Sequence, residues 1–171
     1  MSELVADLME IAEFLTTRDK LRPREASLRR AISTAYYALF NRLAELCADE
    51  LVGWKKPWEV FSPIYRSLEH GYALKILSER SADKSHPLGR DVERLGTMFR
   101  ELQAAREWAD YNREPNPDPR EAQSGRRFSR EQTTELVANA REAIAIIDNL
   151  DKSARLRLAT RLVARPRGKA R

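Results

Sequence analysis

Cysteine, histidine and glycine are scarce in this 171-residue chain, which carries one, two and six of them. Each shortage excludes something. The lone Cys47 can close no internal disulfide and cannot build a metal site alone, so a reducing, cytoplasmic setting is expected. With no histidine near it in sequence, Cys47 reads as a buried helix residue and not as a nucleophile. So few glycines, with Val and Ile never clustered as strands require, point to an all-α fold. No apolar run approaches the roughly 20 residues that span a bilayer. The opening MSELVADLMEIAEF is acidic, so no secretory signal is expected. No paired carboxylates, His/Cys cluster, glycine-rich phosphate loop or Ser/His/Asp arrangement stands out, so neither a metal nor a cofactor is expected.

What is present fits one domain with a real core and a heavily solvated surface, 42% of residues being hydrophobic and 33% charged. The net charge of +5 is uneven: residues 151–171 hold eight Lys or Arg against one acid, leaving residues 1–150 at −2. The basic character therefore belongs to the end of the chain, and a general inference from a basic protein to nucleic acid does not hold.

Leu4, Leu8, Ile11 and Leu15 recur at helical spacing behind Ser2, predicting an amphipathic helix over 3–17. Residues 16–24, polar and containing Pro23, form a connection. Leu28, Ile32, Ala35, Leu39, Leu43 and Leu46 make one stripe that predicts a helix over 25–51, stopped by Gly53. Such a helix spans about 40 Å at 1.5 Å per residue. After the irregular VGWKKPWEVF, Ser62-Pro63 reads as an N-cap followed by proline at the first helical position. His70-Gly71 reads as a break before a short helical piece at 73–77, and ERSADKSHPLG as a polar loop in which His86 is solvated. Val92, Leu95, Phe99, Leu102 and Ala109 predict a helix from Leu88 to about Tyr111. The proline-rich 112–127 segment reads as an exposed, mobile loop. Ser129 and Gln132 form a capping box ahead of Leu136, Val137, Ala140, Ile144, Ile147 and Leu150. The division expected is a bundle over 1–150 and a basic tail over 151–171, partly helical and then disordered.

Three constellations bear on chemistry. Ser33, Tyr37 and Asn41 lie four residues apart on one helix face, with Tyr36 on the adjacent strip. The bland reading makes both tyrosines core aromatics with satisfied hydroxyls. Arg106 and Asp110 are also four apart, with Arg106 at the border of the apolar stripe, where a charge requires a partner. Arg66 and His70 repeat that spacing, and a histidine at a helix end most simply caps or packs.

The order of these pieces is more specific than any one of them. Ser33-Thr-Ala-Tyr36-Tyr37-Ala-Leu-Phe40 followed by Arg106-Glu-Trp-Ala109-Asp110-Tyr111 resembles the HEPN domain family over roughly residues 5–150. The resemblance implies an antiparallel bundle of four to five helices, commonly dimeric. It also implies a place in a toxin–antitoxin, CRISPR or other defence system, often beside a minimal nucleotidyltransferase. Catalytic members of the family are metal-independent endoribonucleases in which an Arg and, four to six residues on, a His meet their copies across a dimer interface. This chain departs from that motif: Tyr111, Asn112 and Arg113 stand where the histidine is expected, and no histidine follows. Tyrosine, with a pKa of about 10, is a poor proton shuttle at neutral pH.

Three functions follow as expectations. The first is a non-cleaving or weakly cleaving dimeric module that binds RNA or a protein partner, such as a nucleotidyltransferase-type antitoxin. Its basic tail (Arg155, Arg157, Arg161, Arg165, Arg167, Lys169 and Arg171) would meet phosphates. The second is an endoribonuclease using Arg66, His70 and Arg106 as a composite site. The third is a structural adaptor whose tail folds on an acidic partner.

Overall fold

The computed structural model describes residues 2–19, 21, 23–81, 85–111 and 128–164. Seven helices and no strand occur among them: α1 (Glu3–Thr17), α2 (Glu25–Leu51), α3 (Trp58–Tyr65), α4 (His70–Leu77), α5 (Arg90–Tyr111), α6 (Arg130–Asn149) and α7 (Lys152–Val163). The molecule is an all-α bundle built around α2, which packs against α1, α3, α5, α6 and α7. None of the described helices is long and apolar enough to cross a membrane.

Local chemistry sets the ends. Ser2 caps α1 by accepting from the Val5 N–H, Ser129 caps α6 by accepting from the Gln132 N–H, and Asp151 caps α7 by accepting from the Ala154 N–H. Gly53, at φ +99°, takes the left-handed conformation that follows the end of α2. The main core runs from Val5 and Met9 through Leu39, Leu43 and Leu46 of α2 to Leu95, Phe99, Ile144 and Ile147. A smaller cluster joins Leu28 and Ile32 to Ala109 and Phe128. Arg42, itself buried, crosses from α2 to α6, its Nε donating to Asp148 Oδ1 at 2.7 Å.

Several expectations need correction. The buried stripe of α1 is Val5, Met9, Ala12 and Thr16; of the expected row, Leu8 and Leu15 pack half-buried against the core, while Leu4 and Ile11 are exposed. Ser62 is no cap. Helix α3 begins four residues earlier, after Pro57, and carries Pro63 inside it, so the Glu59 carbonyl receives no backbone N–H from position 63. His70 opens α4 and Gly71 lies within it, so the break is at 66–69. His86 is buried, not solvated: Nδ1 accepts from the Leu88 N–H at 3.0 Å, which places the ring proton on Nε2, 3.0 Å from the Ile76 carbonyl. It thereby ties the end of α4 to the start of α5.

Residues 152–163 are a core helix. Leu158, Ala159 and Leu162 are buried, Arg155 pairs with Glu50 at 2.6 Å, and Arg161 pairs with Glu79. A helix rich in arginine reads as a solvated tail, yet here two of those arginines bridge to acids on other elements. Residues 112–127, expected as a loop, and Arg165, Arg167, Lys169 and Arg171 lie outside the described residues.

Candidate functional site

The apolar stripe of α5 sends Leu102 and Ala109 into the core and leaves Arg106 at its edge, facing the tyrosines of α2. There its Nη2 donates to the Tyr37 hydroxyl. Its Nε lies 2.9 Å from Asp110 Oδ2 but is not aimed for a hydrogen bond, so that contact is coulombic. The guanidinium carbon is 5.7, 5.2 and 5.4 Å from the ring centres of Tyr36, Tyr37 and Tyr111, within the range of cation–π attraction. Ser33 donates to Asp110 Oδ2 at 3.3 Å, and Arg29 donates to the Ala109 carbonyl at 3.0 Å. These bonds fasten the last turn of α5 to α2. With only 14% of its side chain exposed, Arg106 is largely enclosed.

On the other side of the tyrosine pair stands His70. Its Nδ1 is 2.7 Å from the hydroxyl of the fully buried Tyr36, and its ring stacks on Phe40 with centroids 3.9 Å apart. Burial, with the charge of Arg106 second, pushes the His70 pKa below its ordinary value and favours the neutral ring. Burial raises the Tyr36 hydroxyl well above the usual tyrosine range, so it keeps its proton. If that hydroxyl donates to Nδ1, the imidazole proton sits on Nε2, which has no hydrogen-bond partner among the described residues.

The structure thus gathers Ser33, Tyr36, Tyr37, His70, Arg106, Asp110 and Tyr111 at one place. It does not bring in Arg66. That residue is the C-cap of α3, with its guanidinium 6.0 Å from the Trp58 ring, and α3 ends before His70 begins α4, so no common helix face joins them. Asn41 also turns elsewhere: it donates to the Tyr37 carbonyl at 2.8 Å and accepts from the Tyr65 hydroxyl at 2.6 Å. Asn112 lies outside the described residues. Of the basic residues near the chain end, Arg155 and Arg161 are paired, and Arg157 donates to the Pro87 carbonyl at 3.2 Å.

Sequence reasoning missed Phe40 as the stacking partner of His70 and Arg29 as the clamp on Ala109. Arg29 sits four residues before Ser33 on the same helix face, which was the available signal. Chemically the cluster offers a neutral imidazole, three phenols and an enclosed, charge-balanced guanidinium. Among the described residues no group of three or more His, Cys, Asp and Glu side chains is arranged to hold a metal ion. In comparisons with family models, curated proteins and solved structures, nothing matches this chain.

Proposed function

We propose that this chain is a HEPN-like bundle acting as a dimeric, non-cleaving module of a toxin–antitoxin or other cytoplasmic defence system, where it binds RNA or a protein partner. The enclosure of Arg106 carries this reading. Its charge is balanced by Asp110, its Nη2 is spent on Tyr37, and three rings surround it. A guanidinium committed in this way is a structural tie and is poorly placed to stabilise a phosphate in a transition state. Tyr111, five residues on and 72% exposed, stands where a catalytic histidine would be expected.

The test is to incubate the purified chain with single-stranded RNA in EDTA, to measure binding across a salt series, and to weigh the particle by light scattering. A dimer that binds without cleaving, with affinity falling as salt rises, is expected. Changing Arg165, Arg167, Lys169 and Arg171 to Gln should flatten that dependence without touching α7. Salt-independent binding, or none, would leave only the protein partner, and a gene for a nucleotidyltransferase alongside would favour that half.

One observation favours a second reading, a metal-independent endoribonuclease: Tyr36 links His70, through its hydroxyl, to Arg106, over its ring. RNA cleavage in EDTA that disappears in both Arg106→Ala and His70→Ala would replace the first reading with this one.

A further inference from the structure

Away from that cluster, a groove of about 820 Å³ opens between the first turn of α1, the last two turns of α2 and α3. Its volume lies in the range of small-molecule sites. Trp58, Phe61 and Tyr65 recur at helical spacing along α3 and pack ring against ring at 5.9 to 6.1 Å, and Trp54 also lines the groove. Trp54 and Trp58 are 74% and 55% exposed, so large apolar rings here face an open cavity. Two carboxylates, Glu45 and Asp49, share the lining. Glu45 is engaged by the Ser2 N–H and hydroxyl and lies 3.8 Å from Arg42. Asp49 has no hydrogen-bond or ion-pair partner among the described residues.

We propose that this groove binds a small organic cation, an ammonium or guanidinium compound whose carbon skeleton lies on Trp54, Trp58 and Tyr65 and whose charge is met by Asp49. Aromatic walls over a carboxylate are the arrangement that holds alkylammonium groups, since each ring face attracts positive charge. Two of these rings already do so within the chain: the Lys55 ammonium is 5.2 Å from the Trp54 ring centre, and the Arg66 guanidinium is 6.0 Å from that of Trp58. Among the described lining residues Lys56 is the one cation, against two carboxylates. The same two carboxylates argue against a nucleic-acid strand stacking on the tryptophans, because its phosphates would be repelled there. Asp49 is also held at a cost: burial, helped by the charge of Glu45, raises its pKa, and the charges of Arg42, Arg155 and the N-terminus offset only part of that rise. A carboxylate disfavoured by the fold and turned into an aromatic groove fits a ligand-binding residue better than a structural one.

The test uses the full untagged chain, choline as probe and its neutral isostere 3,3-dimethylbutan-1-ol, read by tryptophan fluorescence and calorimetry. Choline should bind at least about tenfold tighter than the alcohol, a difference near 1.4 kcal/mol. Asp49→Asn should remove that preference while leaving the melting temperature unchanged or higher at pH 7, and Trp58→Leu should weaken binding of both probes. Equal binding of the two probes, choline binding that survives Asp49→Asn and Trp58→Leu, or no choline binding at millimolar concentration would overturn the assignment. So would a single-stranded oligonucleotide that quenches Trp54 and Trp58 in preference to choline.

Discussion

His70 sits between a cation and a phenol, and its titration should be felt in the stability of the bundle. An unfolded histidine takes up its proton near pH 6.5. In the folded chain, burial and Arg106 hold that step lower. From about pH 6.5 downward the unfolded state therefore binds more protons, and stability falls with pH until the folded value is passed; above pH 6.5 the contribution is constant. His70→Gln keeps a polar partner for Tyr36 but cannot titrate. Urea unfolding at pH 7.5 and pH 5 should show wild type losing more stability than this variant, and parallel losses would remove His70 as the cause. The residue types of this cluster were legible in sequence, since Ser33, Tyr37, Arg106 and Asp110 carry the right spacing. Its closure was not: His70 is 34 residues from Tyr36, and no helical period relates positions on two different helices.

At the scale of elements, the close approach of α4 and α5 rests on one glycine. A Cβ at Gly96 would stand 2.0 Å from the Leu77 carbonyl oxygen and 2.8 Å from its carbon, both backbone atoms that cannot swing aside. Gly96→Ala should therefore destabilise by about 2 kcal/mol or more, despite the gain of roughly 1 kcal/mol in helix propensity. Gly71 in α4 has nothing within 4 Å of the same position, so Gly71→Ala should be neutral or stabilising. Denaturant midpoints of the two variants on opposite sides of wild type check the pair. Helices with a strong cap or a long apolar stripe were readable from sequence: α1 and α2 have the predicted limits, and α6 begins at its capping box. Misreadings arose where a local signal had two meanings. Ser62-Pro63 looks like a helix start but lies inside α3, and of the Leu4–Leu8–Ile11–Leu15 row Leu8 and Leu15 reach the core while Leu4 and Ile11 are exposed.

For the whole molecule, α7 belongs to the folded unit. Its leucines Leu158 and Leu162 are buried, each worth about 1.5–3 kcal/mol, against a total stability of only about 5–15 kcal/mol. Deleting residues 152–171 should lower the melting temperature by roughly 10 °C or more. An unchanged melt would mean that α7 is dispensable. The charge count hid this, because two of the arginines that make the segment basic are internal partners of Glu50 and Glu79. The single Cys47 lies on α2, the helix every large element leans on. It is fully buried, and burial pushes its thiol up to about 12. A thiol so placed reacts only when the bundle parts around it. The chain thus carries one natural chemical stopwatch, whose modification rate counts how often its central helix is laid bare.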